Sequence, residues 1–309
     1  MKIAITGGAG FIGRELIWEL NSMGYNDITI IDSYPTIIQD RVIMEGLSFT
    51  EVIDYKQILI DSDFKWVKKF DFIFHLGANS STRSKISEIY DVNFTFSVRL
   101  FLEARWHDVP VVFASSGAIY GSDRRETSKP NPLTAYGYTK MVCENMIKYF
   151  PELYDNIVCL RYHNVYGASE GHKGDMSSIV YKWISGQDHK LFQDSKEIKR
   201  DFIHVSDINY VNIAFMRYWI LKKTFPLRIY DVGTGKPVSF LQLGNEIKRH
   251  TKKKITYIDN PYNKSNYQFF TKADITDLKE IFDELGEKYA PMSIKQGIEK
   301  VYNDFNYIC

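Results

Sequence analysis

The chain has 309 residues, and its 39 basic and 38 acidic side chains leave a formal charge of +1 at pH 7. At about 150 residues per domain this is room for two domains or one large α/β unit, and 44% hydrophobic with 25% charged residues is ordinary globular usage. So balanced a charge excludes the footprint of a general nucleic-acid binder, and no run of about 18 apolar residues is present to span a membrane.

The chain begins Met1-Lys2-Ile3-Ala4-Ile5-Thr6-Gly7, entering a strand pattern directly, without the charged, apolar and small-residue sections of a signal peptide. Its cysteines, Cys143, Cys159 and Cys309, are odd in number and widely spaced, which suggests neither a disulfide framework nor a zinc site. A reducing, cytoplasmic setting without a metal is the expectation.

Lys2 to Thr6 and Ile28 to Asp32 read as strands. Between them Ile12, Leu16, Ile17 and Leu20 recur at helical spacing opposite Arg14, Glu15 and Glu19. Gly7-Gly8-Ala9-Gly10-Phe11-Ile12-Gly13 joins the strand to the helix. In such a loop Gly7 allows a tight turn, Gly10 lets backbone N–H groups approach a pyrophosphate at the helix N-terminus, and Gly13 permits close helix-to-strand packing. Asp32 closes the second strand 19 positions beyond Gly13, where a carboxylate accepts from an adenosine ribose hydroxyl. It favours a free 2′-hydroxyl over a 2′-phosphate, and Ser33 to Asp40 holds no cation to offset it, so NAD is expected. NADP stays open through Arg41 or Lys56, either of which can fold back to meet a phosphate.

Phe72 to Leu76 and Val111 to Ser115 are the next strands, with a long helix from about Glu88 to Trp106 between them. His75 reads as a packed sheet histidine, since no Cys or His partner lies at ligand spacing. Phe94, Phe96, Phe101 and Trp106 read as core or subunit-interface residues of the helix. A further helix runs from about Ala135 to Tyr149, with Pro151 just beyond its end. On it Tyr136 and Lys140 are four apart and project from one face. An ammonium beside a phenol stabilises phenolate; bringing a tyrosine from about 10 to neutrality takes about 4 kcal/mol. Ser116 ends its strand on the same sheet edge, where its hydroxyl would hold a substrate alcohol or ketone oxygen. With the glycine loop, these three residues describe hydride transfer at a secondary alcohol.

Ile157 to Tyr162 is another strand. Beyond Tyr166, Gly167, Gly171, Gly174 and Gly186 mark turns before the strand-like segments Phe202 to Val205 and Ile229 to Val232. The run Lys248, Arg249, Lys252, Lys253, Lys254 reads as the solvated end of a helix. The expected fold is α/β: a Rossmann-type parallel sheet flanked by helices, with a smaller C-terminal substrate-binding lobe. Residues 1–165 would form the dinucleotide-binding domain with 199–233 returning to it, and 166–198 with 234–309 the lobe. A ligand would lie in the crevice at the carboxyl ends of the strands.

Several motifs follow the order and spacing of the extended short-chain dehydrogenases/reductases, which act on nucleotide sugars. They are Gly7-x-x-Gly10-x-x-Gly13, His75-Leu76-Gly77-Ala78, Ser115-Ser116, Tyr136-x-x-x-Lys140, Arg200-Asp201-Phe202-Ile203 and Val232-Gly233-Thr234-Gly235. The resemblance implies Tyr136 as catalytic acid/base, Lys140 as its activator and nicotinamide-ribose ligand, and Ser116 as substrate-oxygen partner. It adds Phe11, Ile12, Ser33, Lys56, Leu76, Gly77, Ala78 and Val165 to the cofactor contacts, and Asn93 as the residue that orders the cofactor loop.

A narrower likeness lies in Arg161-Tyr162-His163-Asn164-Val165-Tyr166-Gly167, Glu170-Gly171-His172-Lys173-Gly174, Lys199-Arg200-Asp201-Phe202 and Tyr267-Gln268-Phe269-Phe270-Thr271-Lys272-Ala273-Asp274. These resemble the ADP-L-glycero-D-manno-heptose 6-epimerases. In that family the lysine of Gly-His-Lys-Gly is the second catalytic base, which carries over to Lys173. Two bases suit an epimerase, because the ketone must present its other face before hydride returns. Ser80, Asn164, Arg200 and Tyr267 carry over as substrate contacts, with Phe192 and Ser195 beside them. Asp175 stands where the family has serine, Lys182 where it has histidine, and Gln193-Asp194 in place of Glu-Gly.

The resemblance therefore implies an NAD(P)-dependent epimerase inverting C6 of an ADP- or GDP-linked heptose. A C4 dehydrogenase or epimerase of an NDP-heptose or NDP-hexose is the alternative. A non-catalytic dinucleotide sensor is a third reading, against which the intact Ser116, Tyr136 and Lys140 argue. Subunit pairing through residues 88–107 and 135–150 is also implied, so a homo-oligomer is expected.

Overall fold

The computed structural model describes residues 1–33, 44–80, 84–122, 130–262 and 267–308. Arg41 and Cys309 lie outside them. Six strands run in chain order along the first part: β1 (Ile3–Thr6), β2 (Ile28–Asp32), β3 (Glu51–Asp54), β4 (Phe72–His75), β5 (Val111–Ser116) and β6 (Ile157–Tyr162). Next come β7 (Asn164–Tyr166), β8 (Lys190–Phe192), β9 (Lys199–Arg200), β10 (Phe202–His204), β11 (Ile229–Val232), β12 (Val238–Ser239) and β13 (Thr256–Ile258).

Seven of them form one sheet in the order β11-β6-β5-β4-β1-β2-β3, and every pairing in it is parallel. This is a Rossmann-type α/β fold, and strand order reverses between β1 and β4, where such sheets open a ligand crevice beyond the strand ends. Short-range pattern explains the strands. Ile3 and Ile5 pack into one core with Leu16, Ile17 and Phe74, while Ala4 packs into the core on the other face with Ile73, Phe101 and Phe113. That alternation is the two-residue period of a strand, and burial on both faces explains why the runs are continuously apolar.

β3 was not expected from the sequence, and the edge strand is correspondingly more exposed than β1 or β4. The helix expected from Glu88 to Trp106 starts at Ile86 and is interrupted by a π-helical turn at Asp91–Thr95 before Phe96–Trp106. Phe96 and Phe101 are buried, but Trp106 is 82% exposed. Val205 starts a helix, Val205–Lys222, rather than ending a strand. β10 pairs with β7 in a separate two-stranded sheet, and of the later strands only β11 joins the main sheet, beside β6. A third core under residues 166–301 gathers Tyr166, Trp183, Leu191, Leu243, Ile247 and Ile298. The basic run straddles the end of the helix Phe240–Thr251, with Lys248 and Arg249 in its last turn and Lys252, Lys253 and Lys254 just beyond, all exposed. Among the described residues no helix is long and apolar enough to cross a membrane.

Candidate active site

The crevice at the β1–β4 reversal is a cavity of about 720 Å³. Its walls include Gly7, Gly10, Phe11, Ile12, Gly13, Asp32, Ser33, Leu76, Gly77 and Ala78 from the cofactor candidates. Ser80, Ser116, Tyr136, Asn164, Val165 and Lys173 line the same space. Gly7 turns through φ +70°, and a Cβ on it would lie 2.7 Å from the backbone of Gly77. A Cβ on Gly13 would stand 2.3 Å from the Gly7 carbonyl oxygen and 2.8 Å from the Gly8 Cα. Gly13 thus presses its helix onto the preceding loop rather than onto the strand itself. Gly10 caps the helix Phe11–Ser22 with no side chain satisfying its first N–H groups, which leaves them for an anion. Gly13→Ala is expected to weaken NAD binding about tenfold or more, because an inserted methyl must displace backbone; calorimetric titration measures it.

Asp32 accepts from the Ala9 N–H at 2.9 Å and the Ser33 N–H at 2.7 Å. Burial pushes its carboxyl up and these two donors pull it back. Its place at the end of β2 fits a ribose hydroxyl. Lys56 does not come to the cleft: Asp54 caps the helix Tyr55–Asp61, and Tyr55 lines the cavity while Lys56 is exposed. One residue is about 100° of helix, so both cannot face one side.

His75 is a hub that sequence reasoning left as packing. The Gly77 N–H donates to Thr6 Oγ1 at 3.0 Å, and Ser97 Oγ donates to the Asn93 carbonyl at 2.7 Å. Thr6 must then donate to His75 Nδ1 (2.6 Å), and His75 Nε2–H to Ser97 (2.8 Å). Burial first, and Lys140 next, hold this imidazole well below its usual range, so it stays neutral. Asn93 is wholly buried. It accepts from the Asn79 N–H at 2.7 Å and donates to the Asn79 carbonyl at 3.0 Å and to Thr139 Oγ1 at 3.3 Å. It therefore ties the loop after β4 to the helix that carries Tyr136.

That helix, Ala135–Tyr149, starts at Thr134, whose hydroxyl accepts from the Gly137 N–H at 3.1 Å. Tyr136 shares a hydrogen bond with Ser116, but burial outweighs it and pushes the phenol up. The expected lowering by Lys140 is not what the structure shows. Lys140 is 1% exposed, its ammonium donates to the Ala114 carbonyl at 2.6 Å, and it lies 4.4 Å from the Phe113 ring centre but 5.9 Å from that of Tyr136. It stands behind Tyr136 rather than in the cavity wall.

Burial brings the Lys140 amine down to about 8. Below pH 8 it is charged both folded and unfolded and the cost of burying the ammonium is complete; well above 10.5 it is neutral in both and that cost is gone. Stability of the wild type relative to Lys140→Met is therefore expected to rise between pH 8 and 10.5, by on the order of 3 kcal/mol. Melting curves of the two proteins across that range check it. Glu144, one turn beyond Lys140 and 2% exposed, accepts from Ser115 and pairs with Arg161 at 2.6 Å. Arg161 donates on to Tyr120, and Tyr120 to Asp231, which joins the ends of β5, β6 and β11.

Some of the remaining substrate candidates form a second group. Arg200 lies 5.4 Å from the Tyr267 ring centre, Tyr267 stacks on Tyr262 at 5.0 Å, and Phe192 meets both edge-on. Arg200 is 7% exposed, and its Nε has no hydrogen-bond partner among the described residues. Ser195 is buried in a turn, its N–H on the Phe192 carbonyl. Lys182 donates to the Asp175 carbonyl at 2.7 Å. None of these seven residues lines the main cavity. Gln268, named in the motif but given no role, connects the two groups: it accepts from Arg200 and donates to the Gly117 carbonyl at 3.0 Å, next to Ser116. Its partner lies 151 positions away, so no local signal marks it. Cys143 and Cys159 are buried free thiols, and among the described residues no cluster of three His, Cys, Asp or Glu would hold a metal.

Known structures of the same shape are available for comparison. ADP-L-glycero-D-manno-heptose-6-epimerase of Helicobacter pylori is 25% identical, with TM-score 0.78 over 99% of this chain and 96% of that one. A UDP-N-acetylglucosamine 4-epimerase from Methanobrevibacter ruminantium, in complex with UDP-N-acetylmuramic acid, is also 25% identical, with TM-score 0.79 over 100% and 99%. The UDP-glucuronic acid 4-epimerase of Bacillus cereus, in complex with UDP-glucuronic acid and NAD, shares the fold at 21% identity and TM-score 0.81 over the full length of both chains. Matched over residues 3–226, the chain belongs to the NAD dependent epimerase/dehydratase family, and its cofactor is NAD.

Proposed function

We propose that the protein is an NAD-dependent nucleotide-sugar epimerase that oxidises a secondary alcohol of the sugar and reduces the ketone from its other face. The leading reaction is inversion at C6 of an NDP-glycero-manno-heptose. The observation that carries this reading is one cavity lined both by Tyr136 beside Ser116 and by Lys173, two separate proton-transfer groups, next to the glycine loop. NAD, when bound, would take a hydride from the alcohol carbon and give it back. Ser116 would hold the reacting oxygen, Tyr136 would exchange its proton in one direction and Lys173 in the other. Lys140 would act from behind Tyr136. Arg200, whose buried Nε has no hydrogen-bond partner among the described residues, and the Phe192–Tyr262–Tyr267 rings would hold the nucleoside diphosphate end of the substrate.

A second reading, C4 oxidation or epimerisation, is favoured by Asp175, Lys182 and Gln193-Asp194, which depart from the heptose epimerase pattern, and by the two 4-epimerases of the same fold. ADP- and GDP-linked heptoses, UDP-glucose, UDP-N-acetylglucosamine and UDP-glucuronic acid, each incubated with the enzyme and NAD and followed by NMR, separate the two. Inversion at C6 without net NADH supports the first reading; inversion at C4, or accumulating NADH, supports the second. No turnover of any sugar would leave a dinucleotide sensor. NADP binding tighter than NAD binding would overturn the role of Asp32. The exposed Leu102, Trp106 and Tyr149 on the two long helices support subunit pairing there, and a monomeric mass by light scattering would exclude it.

A further inference from the structure

Lys173 is held at the cavity by a residue to which no role has been given. Glu170 is wholly buried, yet its carboxylate meets four donors. Oε1 accepts from the Gly167 N–H at 3.1 Å and from Ser178 Oγ at 2.6 Å. Oε2 accepts from the Ser178 N–H at 2.8 Å and from the Lys173 ammonium at 2.7 Å. A buried carboxylate is tolerated only when paired and hydrogen-bonded, and three of these donors belong to the loop and the helix cap around it. They fix the carboxylate, and the carboxylate fixes the lysine. Lys173 is 28% exposed, and its Nζ sits 4.9 Å from the ring centre of Phe11, the first residue of the glycine-loop helix.

The loop itself is fastened to that helix. Arg14 donates to the Ser169 carbonyl at 2.8 Å, and Ser169 donates to Glu15. The ammonium therefore has a fixed position relative to the cofactor helix as well as to Glu170.

We propose that Glu170 is the positioning residue for Lys173: it holds the side chain at the cavity as an ammonium group, so that Lys173 enters the reaction as the proton donor. This rests on the two-base reading above. In the step concerned the C=O bond of the ketone would open as hydride returns to its carbon, an N–H bond of Lys173 breaks and an O–H bond forms at the sugar oxygen; the neutral amine left behind is recharged through solvent by the proton that Tyr136 took from the alcohol in the oxidation.

Trinitrobenzenesulfonate, an amine probe, tests the placement without cofactor or substrate, with the labelled lysine identified by mass spectrometry. In Glu170→Gln the loss of a charge-assisted bond should make Lys173 react about tenfold faster than in the wild type. With the sugar from the panel that the wild type turns over, kcat should fall about a hundredfold while KM stays within about threefold. Glu170→Asp keeps the charge but withdraws it by one methylene; it should label faster than wild type and recover part of kcat, and it carries the test if the glutamine variant does not fold. Wild-type labelling and wild-type kcat in the folded variants would overturn the proposal. If Lys173→Met itself epimerises at the wild-type rate, the two-base reading is what has failed, and the labelling result still decides whether Glu170 positions the lysine.

Discussion

Tyr136→Phe is expected to lower the epimerisation kcat about a thousandfold while leaving NAD affinity within a few-fold of wild type. The substitution removes one oxygen and keeps the ring, so the packing of the helix Ala135–Tyr149 against β5 is preserved. What is lost is the phenol that lines the cavity and shares a hydrogen bond with Ser116, a group with a transferable proton. A positioned acid/base contributes about 10²–10⁴ in rate, and a thousandfold corresponds to about 4 kcal/mol of barrier. Steady-state turnover on the sugar found in the panel, with calorimetric NAD titration as the control, measures the effect. A variant within tenfold of wild type would remove Tyr136 from the chemistry.

Lys173→Met is expected to abolish inversion, with a loss of about 10²–10⁴ in kcat, and to leave NAD binding intact. It should also cost stability. Among the described residues Glu170 would keep three of its four donors but lose the cation it pairs with, and a buried charge deprived of one partner costs about 1–3 kcal/mol. A melting temperature lowered by a few degrees, together with a folded protein that binds NAD, is therefore the expected signature. Full epimerase activity in this variant would rule out the second proton-transfer role.

The cofactor half of the site was legible because its geometry is local. A strand, a three-and-three glycine loop, a helix and Asp32 lie within 32 residues, and the conformations involved leave few other residues possible at Gly7 and Gly13. Ser116 and Tyr136, which line one cavity, could be placed for a similar reason, each standing at the end of one regular element. Tyr55 rather than Lys56 lines the cavity, because where a helix begins decides which of two neighbours faces the cleft. Gln268 was passed over because its contact with Gly117 exists only after segments 151 residues apart have packed. Glu170 lies three residues from Lys173, so the pair itself was visible, but not that the carboxylate would be fully enclosed.

The sequence by itself determined the parallel sheet, the glycine loop between β1 and its helix, and Tyr136 and Lys140 four apart on one helix with Ser116 at a strand end, since these depend on period, spacing and residue type. Only the tertiary structure decided the surroundings and approaches of these groups. Lys140, expected to lower the Tyr136 phenol, is buried behind it with its ammonium on Ala114, and desolvation moves the two groups in the opposite senses, phenol up and amine down. Desolvation belongs to whatever surrounds a group in space, and that surrounding is assembled from strands and helices distant along the chain.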